Sequence, residues 1–193
     1  MFGAIRVIVC WLVNMFSIQA MQKNQLIIMR HAKSNWSDAS RSDFDRPLTA
    51  RGKKAAKQMG QWLKQKQYRI DRILCSPALR AKQTCQLAAE QLDFAQQRVL
   101  WEDRIYEASL NDLIALIDQY GAGSHTLLIV GHNPGLDQLL CHLCDDPPLA
   151  NDSGKLLTTA ATAVLDYGTA PISAKAHQAH LQYLIRPKEA LIN

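Results

Sequence analysis

Apolar and polar positions follow one another along the chain in blocks that predict strands and helices in turn. Residues 26–29 and 126–130 are short, almost entirely apolar runs with β-branched residues, which is typical of strands buried on both faces. Further strands are predicted at 70–75 and 99–101, and as β-like runs at 161–167 and 181–185. A sheet made of such strands needs helices on both of its faces.

Helical periodicity fills the intervals between these runs. Apolar residues recur at helical spacing between about 50 and 67, and Thr49 precedes them as an N-cap residue. The same pattern predicts helices over 79–92 and 136–144, and another after Ser109. This alternation predicts a single three-layer α/β/α domain with a mostly parallel sheet, in which the last strands can be antiparallel.

Length and composition agree with this class of protein. The chain has 193 residues, of which 48% are hydrophobic and 20% charged, as in one soluble globular domain. Its formal net charge of +5 favours anionic partners. No run of Lys and Arg and no basic stripe with interleaved aromatic residues occurs, so nucleic-acid binding is disfavoured.

The five cysteines form no spaced framework for disulfides or for zinc. An odd count fits reduced thiols in a cytosolic protein. Cys141 and Cys144 form a C-x-x-C pair inside an apolar helical run, without a second Cys/His pair at zinc spacing. A buried helix face is therefore predicted for this pair.

Residues 1–20 differ from the rest of the chain. A cation precedes an apolar run at 7–13, and Ala20 could be a cleavage position, so a secretory signal peptide is one interpretation. The run is too short to cross a bilayer. We expect translation from Met21, with 1–20 as an upstream extension and 21–193 as a cytoplasmic domain. Cleavage after Ala20 would instead imply export.

Side chains suited to phosphate chemistry follow three of the predicted strands. Arg30 and His31 follow the first, Arg80 comes shortly after the second, and His132 follows 126–130. If these strands are parallel, the three endings share one rim of the sheet, where ligands bind in open α/β folds. Guanidinium groups pair with phosphate oxygens, and an imidazole can attack phosphorus or transfer a proton. The convergence predicts phosphoryl chemistry that needs no metal.

Four ordered motifs resemble those of the histidine phosphatase superfamily. They are Arg30-His31, Arg46-Pro47-Leu48-Thr49 with Gly52, the run Ser76-Pro77-Ala78-Leu79-Arg80-Ala81-Lys82-Gln83-Thr84, and Gly131-His132-Asn133-Pro134-Gly135. Their order and spacing resemble the small SixA-like branch, the protein phosphohistidine phosphatases, over roughly residues 25–167. The resemblance implies a phosphoglycerate-mutase-like fold. Because no long insertion follows the third strand, it implies no cap domain.

The resemblance assigns a role to each matching position. His31 corresponds to the nucleophile that becomes phosphorylated, and His132 to the second histidine, which donates to the transferred group. The substrate-binding positions are Arg30, Arg80, Arg46 and Ser34.

Two positions match the family loosely. Glu107 lies after the third strand, where many members carry the proton-donating carboxylate, but Glu102, Asp103 and the acidic residues of the loop 33–47 are alternatives. Ala32 stands where the superfamily has Gly after the nucleophilic histidine. Alanine requires an ordinary φ there but removes no reactive group, so we expect activity to survive.

The resemblance implies a hydrolase that removes the phosphoryl group from a protein phosphohistidine through a covalent phosphohistidine intermediate, without a metal or another cofactor. An uncapped site is open to a protein surface, so the expected partner is a phosphohistidine-carrying protein. A monomer without stable membrane association is expected. A small-metabolite phosphatase of the same superfamily and an inactive phospho-ligand binding protein are the alternatives.

Overall fold

The computed structural model describes residues 23–150 and 154–191, in which six strands form one sheet covered by helices on both faces. The strands are β1 (Gln25–Arg30), β2 (Arg72–Cys75), β3 (Val99–Trp101), β4 (Thr126–Gly131), β5 (Thr162–Asp166) and β6 (His180–Ile185). The helices are α1 (Ala50–Gln65), α2 (Leu79–Gln91), α3 (Leu110–Tyr120) and α4 (Gly135–Leu143). Short 3-10 turns cover Gln96–Arg98, Asp103–Ile105 and Glu189–Leu191.

The sheet is mixed, with the strand order β3-β2-β4-β1-β5-β6. The first four strands are parallel, whereas β5 runs antiparallel to β1, and β6 antiparallel to β5. In register, Arg30 lies opposite Gly131, and Cys75 lies opposite Val130. The carboxyl ends of β1, β2 and β4 therefore finish at one edge of the sheet. The predicted mostly parallel α/β/α architecture is confirmed.

Alternate side chains of β1 divide the core into two layers. Leu26 and Ile28 join the apolar cluster that contains residues of α3 and α4, whereas Ile27 and Met29 join the cluster that contains residues of α1 and α2. All four side chains are fully buried. The prediction of a strand buried on both faces is confirmed.

The starts of α1 and α3 follow the capping signals in the sequence. Thr49 Oγ1 accepts a hydrogen bond of 3.0 Å from the Gly52 N–H at the start of α1, and Ser109 forms a capping box at the start of α3. Boundaries differ slightly from the predicted ones: β2 begins two residues later and α1 ends two residues earlier. These differences leave the positions of the site residues unchanged.

The structure corrects the prediction that Cys141 and Cys144 share a buried helix face. Cys144 is buried at the end of α4, but Cys141 is exposed, so the C-x-x-C pair does not share a buried helix face. The buried stripe of α4 has spacings of three and four residues, and position 141 falls outside it. This stripe consists of Leu136, Leu139, Leu140 and Leu143.

The predictions for the amino terminus, namely translation from Met21, an extension at 1–20 and the alternative cleavage after Ala20, lie outside the described residues. Within residues 23–150 and 154–191, no helix has the length and apolar character needed to cross a membrane.

Candidate active site

A cleft of about 430 Å³ opens at the edge where β1, β2 and β4 end. Its lining includes six of the seven predicted site residues, Arg30, His31, Ser34, Arg46, Arg80 and His132. All of them except Arg30 are buried. Three segments far apart in the sequence thus supply cationic and imidazole side chains to one cavity.

His31 presents one ring nitrogen to the cleft and uses the other to fix its orientation. Nδ1 lies 2.8 Å from the carbonyl oxygen of Ala32, which assigns the ring proton to Nδ1. Nε2 accepts a contact of 3.3 Å from the Nε–H of Arg80. The backbone N–H of Ala32 donates to Thr84 Oγ1 at 2.9 Å, and this hydroxyl donates to the Arg80 carbonyl at 2.7 Å. Helix α2 therefore holds the backbone beside His31.

The surroundings of His31 favour its neutral form. Burial and the positive charges of Arg80, Arg30 and Arg46 together lower the pKa of His31 to about 4, against the opposing hydrogen bond to Ala32. Since only the neutral imidazole has a free lone pair at Nε2, the ring is available as a nucleophile throughout the neutral pH range.

His132 lies beside His31, with 5.0 Å between the ring centroids. Its Nε2 is 2.8 Å from Ser76 Oγ, and Ser76 is fully buried. Burial, together with smaller contributions from His31 and Arg80, lowers the pKa of His132 to about 3. In the tautomer in which Ser76 donates to Nε2, the proton of His132 is on Nδ1 and available to a ligand.

Asp43 joins two of the arginines at the rim of the cleft. Its carboxylate accepts hydrogen bonds from Arg46, from Arg80 at 2.8 Å and from the Tyr106 hydroxyl at 3.1 Å. Partial burial raises the pKa of Asp43, but its contacts with Arg46, Arg80 and Tyr106 lower the pKa overall. Asp43 is thus an anion that orients both guanidinium groups.

The face of the Arg46 guanidinium is covered by an aromatic ring. The Trp36 ring centroid lies 3.3 Å from Arg46 Cζ, although Trp36 itself is 69% exposed. Arg46 Nη1 also donates to Ser34 Oγ at 3.3 Å. Stacking and hydrogen bonds together give Arg46 a fixed position on the wall of the cleft.

Arg30 is oriented by the segment that follows α4. Its Nη1 donates to the Leu157 carbonyl at 2.8 Å. The Asp137 carboxylate of α4 accepts from the backbone N–H groups of Leu157 at 2.9 Å and Leu156 at 3.3 Å, and from the Asn133 side chain at 2.7 Å. Burial lowers the pKa of Arg30 and the charge of Asp137 opposes this effect. Asp137 therefore positions the carbonyl that holds Arg30.

Three residues of the cleft carry buried nitrogen atoms without a hydrogen-bond partner among the described residues. These atoms are Arg30 Nε, Arg46 Nε and His132 Nδ1. Buried polar groups are nearly always paired in folded proteins. The cleft thus has spare donors for an oxyanion.

Glu107 is the predicted site residue that the structure does not bring into the cleft. It is exposed, has a φ of 52° and is absent from the cleft lining. The alternative Glu102 is paired with Arg104 at 2.6 Å, whereas Asp43, an acidic residue of the loop 33–47, contacts the cleft residues Arg46 and Arg80. No group of three or more His, Cys, Asp or Glu side chains in the described residues could hold a metal ion.

Sequence reasoning missed the residues that organise the site. Ser76 and Thr84 belong to the motif that carried the resemblance, but their contacts with His132 and Ala32 were not predicted. Asp43 was included only among the acidic residues of its loop. Nothing in the sequence pattern indicated a role in the site for Asp137, which is an acidic residue in the first turn of α4.

Ala32 has the ordinary backbone φ that an alanine side chain requires. It is absent from the described non-glycine residues with positive φ, and its side chain is fully buried. The predicted tolerance of alanine at this position therefore agrees with the local backbone.

Gly52 provides a test of how tightly α1 packs on the backbone of Lys33, two residues after His31. A Cβ at Gly52 would lie 2.2 Å from the Lys33 carbonyl oxygen. We expect Gly52→Ala to lower stability by ~1–3 kcal/mol and to reduce activity, since Lys33 lies two residues after His31. Thermal unfolding and kcat/KM measure both effects. Gly123→Ala is the control, because a Cβ there meets nothing within 4 Å. Equal behaviour of the two variants would contradict the close contact.

The model of the histidine phosphatase superfamily (branch 1) matches residues 26–118 of the chain. Phosphohistidine phosphatase SixA of Escherichia coli is 30% identical over 136 residues, which are 67% of this chain and 81% of the relative. An uncharacterized protein of Mycobacterium tuberculosis is 36% identical over 141 residues, covering 71% and 85% of the two chains. The structure of the protein histidine phosphatase SixA complexed with tungstate superimposes with a TM-score of 0.70 at 26% identity, covering 85% of this chain and 97% of the other.

The similarity to histidine phosphatases agrees with the residues that line the cleft. The family match contains the segments of Arg30, His31, Arg46 and Arg80, and the SixA structure covers most of this chain. The structural similarity also identifies the uncapped, phosphoglycerate-mutase-like fold expected from the sequence. The chain belongs to the histidine phosphatase superfamily and, within it, to the SixA-like branch.

Proposed function

We propose that the protein removes the phosphoryl group from a phosphohistidine of another protein, with His31 as the nucleophile. The observation that carries this proposal is the position of His31 Nε2, which faces a cleft lined by three arginines and a second imidazole. The Escherichia coli relative is a phosphohistidine phosphatase, which supports the same class of substrate.

In the first step, His31 Nε2 attacks phosphorus and the bond between phosphorus and the substrate nitrogen breaks. Arg30, Arg46 and Arg80 neutralise the charge on the phosphoryl oxygens, and His132 donates from Nδ1. Positioning and charge neutralisation of this kind account for most of the catalysis of phosphoryl transfer. The second ring nitrogen of the substrate histidine takes up a proton from water, so the group that leaves is a neutral imidazole. Because the conjugate acid of imidazole has a pKa near ~6.5, only modest proton donation is needed.

In the second step, water attacks the phosphorus of phosphorylated His31. The bond between phosphorus and Nε2 breaks, inorganic phosphate leaves and the imidazole of His31 returns to its starting form. The hydrogen bond from Nδ1 to the Ala32 carbonyl keeps the ring oriented through both steps.

A comparison of substrates tests the proposal. The purified protein is given an acidic protein domain phosphorylated on histidine, a sugar phosphate and an aryl phosphate, and release of inorganic phosphate is measured. We expect the highest kcat/KM with the phosphohistidine domain. Preference for the sugar phosphate would favour the small-metabolite phosphatase, and no release from any of the three would favour an inactive binding protein.

Glu107 gives a second prediction, based on leaving-group chemistry. An alkyl phosphate expels a basic alkoxide and needs a strong acid, whereas a phosphohistidine does not. Because Glu107 is exposed and absent from the cleft lining, we expect Glu107→Gln to lower kcat/KM by less than about threefold both with phosphohistidine and with an alkyl phosphate ester. Glu102→Gln, which alters the neighbouring carboxylate paired with Arg104, is the control. A loss of more than about tenfold with the alkyl phosphate ester alone would instead identify Glu107 as the proton donor to that leaving group.

A further inference from the structure

A second groove adjoins the active-site cleft. It has a volume of about 650 Å³ and lies between the start of α1 and the 3-10 turn at Glu189–Leu191. Lys33, Thr158 and Thr159 line both cavities. A molecule that occupies the cleft can therefore continue into the groove without crossing another element.

The groove is strongly cationic. Its charged lining consists of Lys33, Arg51, Lys54, Arg186 and Lys188, with Glu189 as the single carboxylate. Glu189 already accepts from Arg186 Nη1 at 3.1 Å and from the Arg186 N–H at 2.8 Å. Within residues 23–150 and 154–191, no ion pair neutralises Lys33, Arg51, Lys54 or Lys188, and all four are exposed.

The position of these cations is unfavourable for α1 itself. The first turn of α1 has no acidic residue and contains Arg51, followed closely by Lys54. A helix N-terminus carries partial positive charge and is stabilised by anions. Such a local conflict is expected where a residue serves an external ligand. The charge of the groove thus indicates an anionic partner.

The groove is fixed relative to the nucleophile. The Thr49 N–H donates to the Lys33 carbonyl at 2.9 Å, and Gly52 packs against the same carbonyl. The Ala160 N–H, which follows the shared Thr158 and Thr159, donates to the His31 carbonyl at 3.2 Å. Backbone contacts therefore hold the α1 side of the groove and the shared segment at 158–160 beside His31.

We propose that this groove, lined by Lys33, Arg51, Lys54, Arg186 and Lys188, docks an acidic segment of the protein whose phosphohistidine enters the cleft. This inference rests on the proposed function and adds the site that selects the partner. Ala55 and Pro187 give the groove aliphatic surface beside the charges, which suits a polypeptide. Its described lining contains no aromatic ring on which a nucleobase could stack, which disfavours a single-stranded nucleic acid.

The test reverses two charges in the groove. In Arg51→Glu/Lys54→Glu we expect KM for an acidic phosphohistidine domain to rise about tenfold or more, with kcat changed little, because exposed interface charges act mainly on association. The salt dependence of kcat/KM should also weaken. With free phosphohistidine, which is too small to reach the groove from the cleft, kcat/KM should not change.

Lys53→Glu/Lys57→Glu is the matched control. It makes the same change of net charge on the same helix, but neither lysine lines the groove, and both are exposed. Equal KM values for the two double variants would overturn the docking proposal, while the wild-type activity on the domain would leave the proposed function intact. No wild-type activity on the domain, with activity on small phosphate esters, would overturn both. Loss of oligonucleotide binding in the groove variant, with an unchanged KM for the domain, would assign the groove to nucleic acid instead.

Discussion

Replacing His31 with alanine is expected to abolish turnover and the trapping of a phospho-enzyme while leaving the fold intact. The proposed reaction passes through a covalent bond to His31 Nε2, and no other described imidazole occupies that position in the cleft. We expect kcat to fall by more than about 10³-fold, as for removal of other nucleophiles. The side chain contacts Ala32, Arg80 and the ring of His132, all at the edge of the sheet, so the sheet does not depend on it.

Rapid quenching at alkaline pH, with a radiolabelled phosphohistidine domain, measures the intermediate directly. Circular dichroism and thermal unfolding report whether the variant is folded. His180→Ala serves as the control, because its side chain is exposed on β6 and far from the cleft in the strand order. A His31→Ala variant that is folded and keeps a tenth of the wild-type activity would exclude the nucleophilic role.

The sequence predicted the part of the site that depends on parallel strands ending at one rim of the sheet. Arg30 and His132 come directly after apolar runs whose burial on both faces could be read from local pattern alone. Parallel pairing of β1 with β4 then places Arg30 opposite Gly131, the residue before His132. Adjacent parallel strands bring their carboxyl ends together whatever the loops do, so this geometry needed no long-range information.

The loops could not be predicted in the same way. Asp43 lies in a polar segment with several acidic residues, and only the folded chain selects it, through contacts with Arg46, Arg80 and Tyr106. Tyr106 comes from the segment after β3, about sixty residues further along the chain. A contact between two irregular segments leaves no periodic trace in the sequence. The same reason explains why the position of Glu107 outside the cleft was not foreseen.

Asp43 also changes how the basic cleft is understood. The sequence alone assigns Arg46 and Arg80 to phosphoryl binding and gives neither of them an acidic partner. In the structure both arginines are paired with the carboxylate of Asp43. Burial raises the pKa of Asp43, but its contacts with the arginines and with Tyr106 together lower the pKa by more. Asp43 therefore reduces the repulsion between two neighbouring guanidinium groups and fixes their direction. Their donors to a substrate are those that Asp43 leaves unused, such as Arg46 Nε.

Arg80 should be the arginine whose loss is most damaging, because it contacts both His31 and Asp43. We expect Arg80→Met and Arg80→Lys each to lower kcat/KM by ~10²–10³-fold, since both remove a planar donor aimed at the transferred phosphoryl group. Lysine keeps the charge but not the fork geometry. The pair of variants therefore separates charge from geometry.

The pH profile of kcat/KM provides that separation. Burial is the main cause of the lowered pKa of His31, about 4, and the charge of Arg80 is the largest contribution from a neighbouring charge. Protonated His31 cannot attack phosphorus. A higher pKa of His31 therefore means that activity is lost at a higher pH as the solution is acidified. The acid limb should move to higher pH in Arg80→Met, because the cation is lost and Asp43 is left less neutralised. It should stay near its wild-type position in Arg80→Lys. An unmoved acid limb in Arg80→Met would show that the charge of Arg80 does not keep His31 neutral. A loss of less than tenfold in both variants would remove Arg80 from the group that binds the phosphoryl oxygens.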